Sequence, residues 1–269
     1  MHLNSKTKIA LAIAALTVSA GVMAQAKAPE PDYTLSYNVG VVTDYRFRGI
    51  TQTNYKPALQ GGIDFAHKSG LYLGTWASNV SWVQQFNGAT QGSWEWDLYG
   101  GYKGEITSGL GFDVGLISYQ YPGNNSGAPG TPGAGPLVSN ANTNEFYIGL
   151  TYGPVTLKMN QSLGDFLGFA GSSGSRYWDL SATFDLGNGF SIVPHIGSQM
   201  VNQPLFANAG NYTDYALTLN KDFGNGFSAS IAAVGTNANQ AFYVNQPAPT
   251  GDGQFIGKSG LTVGLKYSF

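Results

Sequence analysis

Leu261-Thr262-Val263-Gly264-Leu265-Lys266-Tyr267-Ser268-Phe269 is the last stretch of the chain, and it alternates without a break. Successive side chains of an extended strand point to opposite faces. Leu261, Val263, Leu265, Tyr267 and Phe269 therefore share one face, and Thr262, Gly264, Lys266 and Ser268 share the other. A soluble sandwich can hold such a strand, so the ends of the chain have to be read together.

A terminal aromatic closing an alternating strand is the kind of C-terminal signature that outer-membrane assembly machinery reads. The other end agrees. Lys6 and Lys8 precede an apolar run from Ile9 to Val22, and Val22-Met23-Ala24 offers a small-residue cleavage site. Residues 1–24 are thus expected to be a secretory signal peptide, with cleavage after Ala26 as the near alternative. The run is shorter than the ~20 residues a spanning helix needs. Beyond Val22 every apolar run is soon interrupted, so a membrane location would demand a closed sheet, the other fold that satisfies all backbone groups in lipid.

Composition points the same way. Cleavage removes Lys6 and Lys8 from the 13 basic residues, leaving 11 against 15 acids and a formal charge of −4. There is no basic excess for nucleic acid, and no cysteine for a disulfide, thiolate metal site or redox centre. Charged residues make up 10% of the chain, far below the ~25% of an average soluble domain, so much of the surface is not expected to face water. The 38 glycines suit crowded barrel walls, and the 16 tyrosines and 15 phenylalanines suit membrane interfaces.

Residues 25–269 are expected to form a single all-β domain, a transmembrane up-and-down antiparallel barrel. Period-two alternation marks about twelve strands, near 33–47, 57–67, 70–82, 93–105, 110–121, 143–152, 154–162, 176–186, 189–199, 211–222, 226–235 and 258–269. The connections at 67–70, 105–110, 152–154, 186–189 and 222–226 are tight; those at 48–56, 83–92, 122–142, 163–175, 200–210 and 236–257 are long. Strict alternation of short and long connections is the mark of an up-and-down barrel, which has short periplasmic turns and longer outer loops. Two tight turns share one frame, Asp185-Leu186-Gly187-Asn188-Gly189-Phe190-Ser191 and Asp222-Phe223-Gly224-Asn225-Gly226-Phe227-Ser228. Asn-Gly is a strong hairpin signal because both residues tolerate positive φ.

Parity assigns the faces, and the aromatics decide which face is out. Beside the long loops the apolar face carries Tyr45, Phe47, Trp94, Trp96, Phe146, Trp178 and Tyr215. Beside the short turns it carries residues such as Phe65, Tyr102, Phe190, Phe227, Tyr267 and Phe269. Two aromatic bands separated by aliphatic residues form a membrane girdle. Strand 70–82 resists this scheme, since Leu71 and Leu73 oppose Tyr72, Trp76, Val80 and Trp82; a parity-switching bulge is the expectation there.

The segment Tyr45-Arg46-Phe47-Arg48-Gly49-Ile50-Thr51-Gln52-Thr53, followed by Pro57-Ala58-Leu59-Gln60-Gly61-Gly62 and Gly74-Thr75-Trp76-Ala77-Ser78-Asn79-Val80, resembles the TorF-type porin family, proteobacterial proteins of unknown function. Gly100-Gly101-Tyr102, Tyr119-Gln120-Tyr121-Pro122-Gly123, Asn144-Glu145-Phe146-Tyr147 and Gly235-Thr236-Asn237 extend the likeness over nearly the whole mature chain. The resemblance implies an outer-membrane barrel and no particular substrate.

Enzymatic frames fare poorly. Gly257-Lys258-Ser259 resembles the end of a phosphate-binding loop, but the position that needs the first glycine holds Asp252, and a strand rather than a helix follows. His67 and His195 are the mature chain's histidines, and no Gly-x-Ser-x-Gly frame surrounds any serine, so a hydrolase is the remote alternative. His195 reads as a lumen histidine bonded to wall residues. No catalytic residue, cofactor or metal site is assigned, although calcium on Asp or Asn of the long loops stays open.

The inward face is expected to carry Asp44, Arg46, Asp64, Glu95, Asp97, Lys103, Asp113, Glu145, Lys158, Asp179, Asp185, Asp214 and Lys266, with Arg48 at the mouth. Acids prevail, which suggests an aqueous path with weak cation preference. Pairing of these charges across the wall is the competing reading, with Arg46 and Arg48 set against Asp44, Asp64 or Glu95. The expected protein is a monomeric porin-like channel of the Gram-negative outer membrane. Its partners would be lipid, the barrel-assembly machinery (through the C-terminal strand) and small solutes. The alternative is a narrow or plugged barrel with a structural or adhesive role through its loops.

Overall fold

The computed structural model describes residues 31–269; the expected signal peptide, residues 1–24, lies outside the described residues. Twelve antiparallel strands make the wall: β1 (Tyr33–Val42), β2 (Ala58–His67), β3 (Leu71–Asn79), β4 (Trp94–Thr107), β5 (Leu110–Gln120) and β6 (Thr143–Tyr152), then β7 (Val155–Ser162), β8 (Arg176–Ala182, resumed as Phe184–Gly187), β9 (Phe190–Met200), β10 (Tyr212–Gly224), β11 (Phe227–Thr236) and β12 (Gly260–Ser268). Each pairs with its neighbours in sequence, and β1 pairs with β12 to close the sheet. The fold class read from the alternation is therefore the observed one. Closure leaves no edge and pairs the wall's backbone groups internally.

Short-turn chemistry follows the sequence. Asn188 and Gly189 take φ of 52° and 76°, and Asn225 and Gly226 take 51° and 83°. Asp185 and Asp222 each accept a hydrogen bond from the amide two residues on, Gly187 at 2.8 Å and Gly224 at 2.7 Å. The carboxylates thereby stabilise the bulge that opens each turn. Asp185 is thus an exposed turn-capping residue at the short-turn rim, not part of the lumen wall.

The outer face is apolar and exposed. Trp94, Trp96, Trp178, Tyr215 and Phe269 all project outward, with Leu98, Leu150, Leu180, Ile196 and Leu217 among the aliphatic residues of that face. Phe146 and Tyr267 lie on the same face, half-buried by neighbours. At the seam Phe269 and Tyr37 exchange both backbone hydrogen bonds, at 2.9 and 3.0 Å, and their rings stack at 5.6 Å. Lys221 lies outside at the short-turn end, its ammonium 4.3 Å from the centroid of the Phe190 ring.

Three further expectations fail, each for a physical reason. No bulge interrupts β3, whose pairing with β2 and β4 shows no register shift; Trp76 and Tyr72 simply point inward, so the mixed pattern reflects inward aromatics rather than an irregularity. β1 ends at Val42 rather than continuing to residue 47. Residues 43–56 turn into the barrel, and Arg46–Phe47 pairs with Ile50–Thr51 as a small ribbon. Tyr45 and Phe47 are therefore not girdle residues: Tyr45 packs edge-on against Trp76 at 5.4 Å, and Phe47 packs against Tyr119 at 5.4 Å.

The hydrophobic core sits in a roof made by the long connections. Trp82 and Val83, from a single helical turn at Trp82–Gln85, pack with Val80, Ala89, Tyr121 and Ala141. Ile50, Tyr243 and Ile256 form a second cluster, and Phe166, Phe169 and Val201 a third; Phe86 touches all three. Backbone bonds tie these segments together: Gln246 donates to the Gln85 carbonyl at 2.7 Å and Ser139 to that of Gly168 at 2.8 Å. In single-tryptophan variants reconstituted with brominated lipid, Trp94, Trp96 and Trp178 should be strongly quenched and Trp76 and Trp82 protected. Equal quenching of all five would contradict the assignment of faces.

Candidate functional site

Beneath the roof the inward face is polar but lined with rings. Tyr99, Tyr147 and Tyr177 alternate in phase with the inward acids of their own strands, and Tyr72 points inward from β3, which carries no acid. Each lies flat on the wall because a glycine on a neighbouring strand leaves room: a Cβ at Gly74 would strike the Tyr99 ring, and one at Gly115 or Gly197 would strike Tyr147 or Tyr177. Their hydroxyls serve the acids, Tyr99 donating to Asp64 and Tyr72 to Asp113, both at 2.5 Å. Lys158 sits 3.8 Å from the centroid of the Tyr147 ring and Lys103 5.5 Å from that of Tyr72. Treating aromatics as girdle residues misses these inward tyrosines; for Tyr99, Tyr147 and Tyr177 the available signal is their parity with the acids of the same strand.

A cavity of about 730 Å³ occupies the middle of the barrel, bounded by Lys158, Asn160, Asp179, His195 and Asp214 on the wall and by Arg46, Phe47 and Arg48 on the ribbon. Further recesses lined by Asn38, Asp64, Lys103 and Lys266 lie towards the short-turn end. Lys103 and Lys266 are solvent-exposed and line these recesses. His195 bridges two wall acids, Nδ1 to Asp179 at 2.9 Å and Nε2 to Asp214 at 2.8 Å, and the Tyr177 hydroxyl donates to Asp214 at 2.9 Å. This is the wall-bonded histidine read from the sequence.

The two ribbon arginines do different work. Arg46 Nε pairs with Asp44 at 2.5 Å, and its Nη1 donates to the carbonyls of Gly49 at 2.9 Å and Lys258 at 2.8 Å. Asp44 also accepts from Thr51, so Asp44 and Arg46 brace the ribbon rather than line an open wall. Arg48 is not a lip at the mouth. Its guanidinium crosses the lumen to Glu145 on β6 at 2.6 Å and to the Gln199 amide oxygen on β9 at 2.8 Å. The rings of Tyr177, Phe47 and Phe166 surround its Cζ, with centroids at 4.4, 4.6 and 5.4 Å. Glu145 is 1% exposed and the Arg48 side chain 6%, so the pair is held out of bulk water.

Backbone geometry shows what this contact overrides. Arg48 and Gly49 are the central residues of a two-residue turn, with φ of 49° and 80°. The first position of such a turn favours Asn, and an arginine there carries roughly 1–2 kcal/mol of left-handed strain. The side chain's anchorage holds it there.

Glu95 and Asp97 face inward and do not border an open mouth. They lie under the roof, where Tyr45 donates to Glu95 at 2.9 Å, and Glu95 Oε2 and Asp97 Oδ1 are buried without a hydrogen-bond partner.

An apolar-faced barrel of twelve strands around a polar, ring-lined lumen has the architecture of the outer-membrane porins. The chain belongs to the Gcw_chp family, bacterial proteins of unknown function, whose model matches residues 25–269. Among curated proteins no sequence matches it. Among solved structures it is similar to the KdgM porin in complex with disordered oligogalacturonate, at 7% identity and a TM-score of 0.50, over 87% of this chain and 98% of that one. It is also similar to the NanC porin, at 10% identity and a TM-score of 0.48, over 88% and 99%. At these identities the likeness is one of fold.

The buried pair gives a testable asymmetry. Glu145→Ala strands a guanidinium away from water and should lower stability to urea by about 3 kcal/mol. Combining Arg48→Asn with Glu145→Gln removes both charges and should cost distinctly less. A double variant at least as unstable as Glu145→Ala would show that the pair is peripheral to the fold.

Proposed function

We propose that the protein is a porin-like channel of the bacterial outer membrane, closed at rest by its own roof, for passive diffusion of small polar solutes. The observation that carries this reading is the cavity inside an apolar-faced barrel, lined in part by Lys158, Asp179, His195 and Asp214 and bordered by the Arg48 ribbon. A merely structural barrel of this size has no need of a polar interior of that volume; the interior of a barrel of about eight strands is filled by side chains, whereas one of 16–18 leaves a channel. The likeness to TorF-type porins points the same way.

The charge balance supports a weak cation preference. With Asp44–Arg46 and Glu145–Arg48 already paired, Asp64, Glu95, Asp97, Asp113, Asp179 and Asp214 face the lumen from the wall, against Lys103, Lys158 and Lys266 and with His195 set between Asp179 and Asp214. Low-dielectric walls focus such a field and enrich cations along the path. Oligogalacturonate, the polyanion named with the KdgM structure, is a poor match for this interior.

The second reading, a permanently plugged barrel acting through its loops, is favoured by the continuous core of the roof. Planar-bilayer recording separates the two. Wild-type protein should show infrequent openings with a reversal potential on the cation side under a KCl gradient. Arg48→Asn should open far more often, and its selectivity should fall as salt rises from 0.1 to 1 M, where the Debye length shrinks from ~10 to ~3 Å. Silence from both proteins would favour the plugged barrel, and anion selectivity would show that the lysines govern the path.

A further inference from the structure

The enclosure around Arg48 has the parts of a receptor for a planar cation. A carboxylate and an amide oxygen lie at hydrogen-bond distance, 2.6 and 2.8 Å, and three aromatic rings surround the charge. A guanidinium is weakly hydrated, presents a fork of donors and stacks on rings; an ammonium or potassium ion meets fewer of these features and holds its water more tightly.

Most of this enclosure does not belong to the ribbon. Glu145, Tyr177 and Gln199 project from β6, β8 and β9, and Phe166 from the roof; only Phe47 travels with Arg48. Glu145 Oε2 also accepts from Asn160 at 3.1 Å and from Tyr119 at 3.4 Å, but Oε1 is buried without a hydrogen-bond partner, so the carboxylate is not used up by these contacts. The occupant sits on a strained turn residue, φ 49°, held at the end of a two-stranded ribbon. Strain favours release of the side chain, and the wall favours its retention. Tyr177, one ring of the enclosure, also donates to Asp214, so the site adjoins the Asp214–His195–Asp179 cluster and the central cavity.

We propose that this enclosure is a binding site for a small organic cation carrying a guanidinium or amidinium group, occupied at rest by the protein's own Arg48, which the solute displaces. The proposal rests on the channel reading and deepens it: the arriving solute takes the place of the side chain that pins the ribbon. No covalent step is involved; one cation exchanges for another on the same carboxylate and rings.

Arg48→Asn is the informative variant, because Asn suits the turn while vacating the enclosure. Ethylguanidinium, ethylammonium and the neutral isostere ethylurea would be titrated by calorimetry into wild type, Arg48→Asn, and Arg48→Asn combined with Glu145→Gln, each confirmed as folded by its heat-modifiable band. Arg48→Asn should bind ethylguanidinium at least tenfold more tightly than ethylammonium, ethylurea should not bind detectably, and wild type should bind at least tenfold more weakly. Adding Glu145→Gln should abolish the gain. If Arg48→Asn does not fold, Arg48→Gln serves with the same expectations. Absence of saturable binding in the folded vacated variant, or equal binding with and without Glu145, would overturn the site. Bilayer recordings on the same samples keep the two proposals apart: guanidinium binding without conductance retains the site and removes the channel, and conductance without guanidinium preference does the reverse.

Discussion

Lipid offers no hydrogen bonds, and that constraint shapes this chain more than any single contact. A sheet whose outer face is Leu, Ile, Val and aromatic can persist in hydrocarbon only if its last strand finds its first. Here β12 lies against β1, and the terminal Phe269 completes the seam by exchanging both backbone bonds with Tyr37. Once the wall is closed, alternation forces every second residue inward, and the polar interior is the geometric complement of an apolar exterior. The inside is not a conventional core, so the large buried side chains have to gather elsewhere, in the roof.

The roof depends on the interior in turn. Residues 43–56 enter the barrel instead of lengthening β1, and the Arg46–Thr51 ribbon brings two cations into a space dominated by carboxylates. Arg46 is spent on bracing the ribbon against Asp44. Arg48 reaches across the lumen to Glu145, and its rings include Phe166 of the roof and Tyr177 of the wall. One buried ion pair thus joins three structural layers. Pairs of this kind contribute little net stability but make the removal of one partner expensive, which suits a contact that specifies position.

The fold was legible because period-two patterning, loop lengths and turn chemistry each report on backbone geometry that tertiary context rarely overrides. The twelve strands, the Asn-Gly turns and the outward Trp94, Trp96 and Trp178 all follow from that. The site was legible only in part. Parity found Glu95, Asp97, Glu145, Asp179 and Asp214, yet gave no hint that a ribbon covers some of them. Tyr45 and Phe47 continue the alternation of β1 in sequence while the chain has already left the wall, because a strand that turns inward keeps its period. Trp76 and the inward tyrosines were obscured by residue type: an aromatic in a barrel strand suggests an interface, whereas here glycines on neighbouring strands let the rings lie against the lumen wall. Contact between Arg48 and Glu145 spans 97 residues of sequence, and nothing local announces it.

The central claim is an aqueous lumen lying beneath a roof that closes the long-loop end. The chain contains no cysteine, so a single Ser181→Cys on the lumen wall can be read without background. A bulky, membrane-impermeant maleimide should leave this cysteine unlabelled when added to intact cells, and should label it readily once the periplasmic side is exposed. Labelling should appear from outside when Arg48→Asn is added. Prompt labelling of the single-cysteine protein from outside intact cells would contradict a closed roof, and failure to label from either side would contradict an aqueous lumen.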